Sequence, residues 1–186
     1  NTSTGLAKHI TGTWYYIEKG KWNSSFNGLT KYDGKYYNVK NGKKYGGSVT
    51  TSQTKMLQKA QQYSSNTRWL ILVDTNANKV GVFTGARGAW SQKYYWSCTT
   101  GASSTPTVKG QFTVGMKGLS FGSGYTCWYY TQFYGNYLFH SVLYNPGSMT
   151  SIQDGRLGIN ASHGCVRLNL GNAKWIYNNI PSSTKV

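Results

Sequence analysis

Ser162-His163-Gly164-Cys165-Val166-Arg167-Leu168 sets a thiol one glycine past an imidazole and just ahead of a helical pattern. Asn169 suits an N-cap, Leu170, Ala173, Ile176 and Tyr177 share one helix face, and Pro181 closes the run after Asn179. Cysteine attacks carbonyl carbon well only as thiolate, so it needs a nearby base or a positive dipole. A helix starting a few residues beyond Cys165 could aim free backbone N–H groups toward the sulfur. The competing reading is a buried structural cysteine with an incidental histidine beside it.

The base must be one of three histidines, His9, His140 or His163. None follows Cys165, which removes the cysteine-then-histidine order of papain-like thiol peptidases. The remaining order is His140, His163, Cys165. Glu18, Asp33, Asp74 and Asp154 are the only acids, and no two are close in sequence. That argues against a two-carboxylate glycosidase and against a carboxylate-ligated divalent cation. Zinc held by His140, His163, Cys165 and a second cysteine is the other metal option. The His-x-Cys spacing suits it poorly, so neither metal nor cofactor is expected.

Upstream, the chain reads as short strands with turn punctuation. Trp69–Asp74 and Val80–Thr84 flank the turn 75–79, and Lys93–Thr99 precedes a loop over 101–106. Gln111–Gly115, Trp128–Phe133 and Tyr137–Tyr144 follow. This predicts a mainly β, β-sandwich-like domain with mixed sheets and a helix after the cysteine. Before it, Met56, Leu57, Ala60 and Tyr63 predict a short helix over 55–63, after a polar linker over 48–54 that offers an N-cap.

The first fifty residues contain an echo. Gly12-Thr13-Trp14-Tyr15-Tyr16-Ile17-Glu18-Lys19-Gly20-Lys21 returns 22 positions later as Gly34-Lys35-Tyr36-Tyr37-Asn38-Val39-Lys40-Asn41-Gly42-Lys43. Aromatic-rich strands closed by Gly turns read as β-hairpins. With the linking Phe26-Asn27-Gly28-Leu29-Thr30-Lys31-Tyr32, the pattern resembles the choline-binding-type cell-wall-binding repeats of Gram-positive surface proteins. That resemblance implies aromatics boxing choline or a wall polymer; the alternative is that the rings merely pack the hairpins. The expected organisation is a repeat module over 1–50, a linker with a short helix over 51–67, and a catalytic domain over 68–186.

Twenty Lys and Arg against four acids give a formal charge of +16. Such a chain seeks polyanions: nucleic acid, an anionic membrane, or an anionic bacterial wall. The basic residues are spread along the chain and no nucleic-acid recognition motif is present, so nucleic acid is not the expected partner. No stretch approaches the 18 apolar residues of a membrane-spanning helix.

A base histidine, about two dozen residues, then Ser-His-Gly-Cys-apolar-Arg resembles the L,D-transpeptidase catalytic domain of bacterial wall synthesis. Thr105-Pro106-Thr107-Val108-Lys109-Gly110-Gln111-Phe112 resembles that family's Thr-Pro loop. Asn136-Tyr137-Leu138-Phe139-His140-Ser141 resembles its base-bearing strand, and Ala173-Lys174-Trp175-Ile176-Tyr177 its following helix. The likeness runs from about Arg68 to Val186. Three departures stand out: a longer gap between His140 and Ser162, Arg167 in place of Asn, and Val108 where a second Pro is common. The long gap suggests a lid or crevice insertion between Tyr144 and Gly158.

The resemblance implies Cys165 as nucleophile and His140 as base, with His163 shaping the site. Ser141 would orient His140 through its carbonyl, leaving its hydroxyl little to do. Backbone N–H groups of Gly164 and Cys165 would hold the oxyanion. Ser162, Arg167, Tyr125 and Asn160 would position substrate, although Arg167 could equally pair with Asp154 or Asp74. Cys98 and Cys127 flank the Thr-Pro loop and are expected to form a disulfide, since three thiols in an exported protein divide into one pair and one reactive cysteine; two free buried thiols in an organism living without oxygen are the alternative. The implied reaction takes a peptidoglycan tetrapeptide stem, forms a thioester with release of D-Ala, and passes the acyl group to another stem as a 3→3 crosslink. Water as acceptor would make it an L,D-carboxypeptidase. A catalytically silent wall-binding protein is the remaining alternative. A secreted monomer at a Gram-positive wall, acylated by carbapenems at Cys165, is the full expectation.

Overall fold

Three two-residue turns organise the first part of the computed structural model, which describes residues 3–49 and 52–186. Lys19-Gly20, Asp33-Gly34 and Asn41-Gly42 all take positive φ at both positions (51° and 78°, 47° and 72°, 50° and 68°). Positive φ at both central residues is the type I′ turn, whose twist matches that of hairpin strands. The strands are β1 (Gly5–Lys8), β2 (Trp14–Glu18), β3 (Lys21–Trp22), β4 (Gly28–Tyr32), β5 (Lys35–Lys40) and β6 (Lys43–Val49). The turns join β2 to β3, β4 to β5 and β5 to β6. The sheet order is β1-β2-β6-β5-β4, with β3 paired to β2. Two of the turns stand 22 residues apart, so the sequence echo is a repeated hairpin corner. Leu6, Tyr16 and Val39 are buried beneath Trp14, Phe26 and Tyr37, and the Tyr16 and Phe26 rings stack at 3.8 Å.

The polar stretch expected as linker is shorter than the sequence suggests. Ser48 and Val49 complete β6, and helix α1 (Ser52–Ala60) begins three residues early. The cap positions Thr50 and Thr51 lie outside the described residues. The helix buries Thr54, Met56, Leu57 and Ala60. It then tightens through Gln62 N–H to Lys59 O and Tyr63 N–H to Ala60 O, both 3.1 Å, the i→i−3 pattern of a fraying end.

Two compact units divide the chain. One holds the residues up to Tyr63 together with Gly81–Tyr94; the other holds Ser64–Val80 and Tyr95–Val186. The division falls after Tyr63, and Gly81–Tyr94 groups with the first unit. The strands β7 (Trp69–Asp74), β8 (Lys79–Thr84) and β9 (Ser91–Ser97) form a sheet in that order. Asp74 closes the turn after β7 by accepting the N–H groups of Asn76 and Ala77, each 2.9 Å.

The second unit is built on a mixed sheet. Beyond β10 (Thr100–Gly101) come β11 (Lys117–Phe121), β12 (Cys127–Tyr134), β13 (Tyr137–Ser141), β14 (Leu143–Tyr144), β15 (Ile152–Asp154), β16 (Asn160–Ser162) and β17 (Val166–Leu168). The order β11-β12-β13-β17 is antiparallel for the first two pairings and parallel for β13 with β17. Phe139, Ser141, Val166 and Leu168 are all 0% exposed and share one sheet face by alternation. His140 and Arg167 lie on the other.

Helix α2 (Leu170–Asn179) packs on β12, β13 and β17. Asn169 caps it, its side chain accepting the Asn172 N–H at 2.8 Å. Lys117 closes the other end, donating to the carbonyls of Tyr177, at 2.7 Å, and Ile180. The architecture is mainly β, as expected.

Gln111–Gly115, expected to be a strand, lies against the chain end. Phe112 and Val186 exchange hydrogen bonds of 2.8 and 2.9 Å, and Val114 N–H reaches Thr184 O at 2.8 Å. Lys185 O also accepts the Ile71 N–H at 2.9 Å. The segment 183–186 is thus held between β7 and 112–114.

Candidate active site

Cys165 stands at the mouth of a turn that three hydroxyl-bearing side chains clip into place. Ser162 Oγ donates to the Cys165 carbonyl at 2.6 Å and accepts the Gly164 N–H at 3.1 Å. Thr107 Oγ1 donates to the Gly164 carbonyl at 2.7 Å and accepts the Gly101 N–H at 2.8 Å. Thr105 Oγ1 donates to the Ser162 carbonyl at 3.0 Å, while Asn160 anchors the strand leading in. The Thr-Pro loop therefore works as a clamp on the turn that carries Cys165, a role for Thr105 and Thr107 that motif reading did not assign. Gly164 sits at φ 112°, and a Cβ there would come within 2.8 Å of the Tyr137 ring. Both the backbone and the space require glycine.

The register of β13 on β17 sets Phe139 opposite Val166 and His140 opposite Arg167. Extending it by one residue puts Cys165 beside Leu138, two positions from His140 and on the same face. The thiol donates to the Asn136 carbonyl at 3.5 Å. His140 is 3% exposed, and its ring stands perpendicular to that of Phe121, with the ring centres 5.1 Å apart. Its Nδ1 lies 2.6 Å from the Ser141 carbonyl oxygen. A carbonyl only accepts, so Nδ1 carries the proton and Nε2 keeps a free lone pair.

Burial dominates the electrostatics. It pulls His140 down to about 4, with the Ser141 carbonyl resisting and the Arg167 charge assisting. It also pushes the Cys165 thiol up, against a hydrogen bond from the Leu138 backbone and the Arg167 charge. The resting pair at neutral pH is thus a neutral imidazole and a protonated thiol. Helix α2 does not alter this. The strand β17 separates Cys165 from Asn169, about 13 Å at the usual strand rise, and a helix dipole acts only within about its first turn. The dipole expected from sequence is absent because three residues of strand intervene.

Arg167 is 6% exposed and donates through Nη1 to Asp154 Oδ2 at 2.9 Å. Asp154 also takes a bidentate contact from Arg156, with Nε and Nη2 each at 2.8 Å. The two guanidinium groups, Arg156 foremost, hold its carboxyl well below the usual carboxylate range. Of the two readings of Arg167, the structure gives the ion pair. Asp154 lies in the insertion between Tyr144 and Gly158, which forms the β14–β15 hairpin. That segment is tied down further by Trp128 Nε1 to Ser148 O at 2.7 Å and Gly147 N–H to Thr126 Oγ1 at 2.8 Å.

Several sequence-predicted residues take different posts. Asn160 accepts from Asn78 Nδ2 at 2.9 Å and donates to Thr100 Oγ1 and the Thr75 carbonyl at 2.9 and 3.1 Å. Those bonds use its amide to join three segments. Ser162 is 2% exposed, and its hydroxyl is engaged in holding the turn. The Gly164 N–H, expected for an oxyanion, is engaged by Ser162 Oγ. The Ser141 hydroxyl is far from idle: it accepts the Trp128 N–H at 2.8 Å and donates to Val142 O at 2.7 Å. This knits β12 to β13 beside Tyr129, whose φ of 55° marks an irregular strand. His163 is exposed, one glycine before the thiol in sequence, and Tyr125 is half-buried in the turn between β11 and β12.

The expected Cys98–Cys127 disulfide is not formed; all three thiols are free. Cys98 lies near Lys79 and Asp74, whereas Cys127 lies near Arg167 and Cys165. The two sulfurs belong to different neighbourhoods, and burial raises each to about 12. Among the described residues, no three His, Cys, Asp or Glu side chains converge as a metal site would require.

Residues 68–186 match the family of L,D-transpeptidase catalytic domains called YkuD. The chain belongs to this family. YciB of Bacillus subtilis (strain 168), an L,D-transpeptidase by name, is 43% identical over 60 residues, 32% of this chain and 31% of YciB. A fused Zn-dependent amidase, peptidase and peptidoglycan-binding domain-containing protein of Clostridium acetobutylicum ATCC 824 is 40% identical. Its superposition has a TM-score of 0.60 and covers 71% of this chain and 57% of that one. This chain thus spans about a third of YciB and just over half of the Clostridium chain. An L,D-transpeptidase of Mycobacterium smegmatis, 17% identical, shares the fold at a TM-score of 0.50 over 100% of this chain and 77% of its own.

Proposed function

We propose that the chain is a cysteine-dependent L,D-transpeptidase of peptidoglycan. The observation that carries the reading is the tautomer lock: a buried His140 whose Nδ1 is committed to the Ser141 carbonyl, on the strand beside Cys165. The Nε2 lone pair is the base. The thiol turns from the Asn136 carbonyl toward it, and Nε2 takes the proton as Sγ attacks the carbonyl of the third stem residue. The imidazolium then protonates the departing amine of D-Ala, leaving a thioester. The amine of a second stem attacks the thioester, loses its proton to Nε2, and restores the thiol as the 3→3 link forms. The Cys165 N–H is the oxyanion donor, since Gly164 is engaged elsewhere.

Water in place of the acceptor amine gives the L,D-carboxypeptidase reaction on the same stems. A carbapenem, a strained acyl donor, acylates the same sulfur. The +16 charge suits a carboxylate-rich donor and an anionic wall, which supports reading the protein as a wall enzyme; as proposed, it acts as a monomer at the outer face of a Gram-positive cell.

Incubation with a disaccharide-tetrapeptide, read by mass spectrometry, tests this. Crosslinked dimer with loss of D-Ala supports transpeptidation, and tripeptide supports carboxypeptidation. Unchanged substrate with both native protein and Cys165→Ala overturns the proposal.

A further inference from the structure

The first unit carries a groove with a cationic rim that the wall-enzyme reading leaves unassigned. It has a volume of about 670 Å³ and is lined by Trp22, Ser24, Asn41, Tyr45 and the lysines 40, 43 and 44. Trp22 and Tyr45 are large aromatics left 51% and 53% exposed. The floor is built rather than incidental. A Cβ on Gly42 would come within 2.2 Å of the Asn23 carbonyl and 2.5 Å of Trp22 Nε1. The Trp22 indole N–H donates to the Gly42 carbonyl at 3.2 Å, and Gly42 N–H to the Phe26 carbonyl at 2.9 Å. The type I′ turn at Asn41-Gly42 is thus pressed against the 22–24 segment, and this contact fixes the indole plane.

Among the described residues no carboxylate neutralises the charge on the rim, although Lys44 Nζ donates to the Gly46 carbonyl at 3.0 Å and stands 4.9 Å from the Tyr37 ring centre. Glu18, the nearest acid in the chain to Trp22, accepts from Asn23 Nδ2 at 2.8 Å. Among the described residues, the ion pairs are those of Asp154 with Arg156 and Arg167, so none involves the three lysines. The first unit as a whole holds twelve Lys and Arg against two acids, the second eight against two. The groove lies in the more basic part.

This chemistry contradicts an aromatic box for choline. A quaternary ammonium needs open ring faces and a neutral or negative surround. Here the Lys43 ammonium already lies 5.8 Å from the Tyr15 ring centre and 6.0 Å from that of Trp22, and two further lysines line the groove. We infer that the groove binds an anionic carbohydrate polymer, with sugar or polyol units against Trp22 and Tyr45 and their phosphate or carboxylate groups at Lys40, Lys43 and Lys44. The C–H faces of such units supply apolar area for the exposed rings, and each anion releases counterions on meeting a lysine. Phosphate and carboxylate offer the same charge-assisted acceptor, so the test includes both.

The full chain carrying Cys165→Ala, which cannot turn over wall peptides, is titrated calorimetrically at low salt. The probes are poly(glycerol phosphate), polygalacturonate, inorganic polyphosphate, neutral dextran and choline chloride. Binding of one or both sugar or polyol polyanions is expected, without binding of dextran or choline. Trp22→Ala and Tyr45→Ala are each expected to weaken it about tenfold, and the triple change of lysines 40, 43 and 44 to Gln to abolish it and flatten its salt dependence. Circular dichroism of each variant controls for folding, with Tyr45→Ala the fallback if the Trp22 variant unfolds. Equal binding of inorganic polyphosphate that neither aromatic variant alters would overturn the proposal, reducing the groove to general charge attraction. Binding of choline that displaces the polymer would overturn it in favour of the ammonium box. The readout is independent of catalysis, so a failed transpeptidase assay leaves it standing.

Discussion

His140 Nδ1 and the Ser141 carbonyl oxygen, 2.6 Å apart, are neighbours in the chain, yet their contact decides which end of the imidazole can accept a proton. Removing that base is the sharpest test of the mechanism. His140→Gln is expected to slow acylation of Cys165 by a carbapenem about 10²- to 10⁴-fold, followed by intact-protein mass against time. An unchanged rate would show that the thiol needs no base.

Burial holds His140 near 4, against about 6.5 for a free histidine. Between those values the unfolded chain takes up a proton that the folded one refuses. Stability therefore rises with pH through this window, and is lost as pH falls from about 6.5 to 4. The slope from this group reaches at most about 1.4 kcal/mol per pH unit. Urea unfolding at pH 4.5, 5.5 and 7 is expected to show it in the native chain and to show less of it in His140→Gln. For the same reason the acid limb of kcat/KM is expected near 4, well below the usual histidine range.

Ser162→Ala removes the acceptor for the Gly164 N–H and the donor for the Cys165 carbonyl. Leaving such buried groups unmet costs about 1–3 kcal/mol. The expected result is a lower Tm together with a lower rate of thioester formation, since the sulfur rides on that turn. A drop in Tm with unchanged acylation would mean that the turn keeps its shape without the hydroxyl.

Asp154→Asn uncovers the charge of buried Arg167, and breaking such a pair costs about 3 kcal/mol or more. Arg156→Gln touches the same carboxylate, but from a side chain 64% exposed. It is expected to change stability by less than about 1 kcal/mol. Chemical denaturation of the two variants side by side checks the contrast.

Local patterns exposed much of this molecule in its sequence. The strand Trp69–Asp74 reads directly from its apolar run, and helix α2 reads from Asn169, the 3.6-residue period and Pro181. The hairpin corners at Lys19-Gly20 and Asn41-Gly42 show themselves as a repeat. What hid were short or non-local pairings. Strand β11 contains Gly118 and Ser120, weak strand formers, and β15, β16 and β17 have three residues each. Gln111–Gly115 looked like an ordinary strand, yet its partner is the tail some seventy residues away. In the site, His140 and Cys165 were legible because motif spacing carries them. The duties of Asn160, the Ser162 hydroxyl and the Ser141 hydroxyl were not, because a hydrogen bond between distant segments leaves no periodic trace. The dipole expected from α2 failed on one detail, the length of β17.

With only four acidic side chains in 186 residues, the molecule has almost no redundancy in negative charge. Glu18 is engaged by Asn23, Asp74 is committed to the turn after β7, and Asp33 sits in a left-handed corner. The carboxylate at 154 alone serves two guanidinium groups, one of them buried on the strand that follows Cys165. A surface rich in acids could lose one and let a neighbour drift into its place. This one has no understudy, so drift at position 154 would have to be matched at Arg167 before the fold could tolerate it.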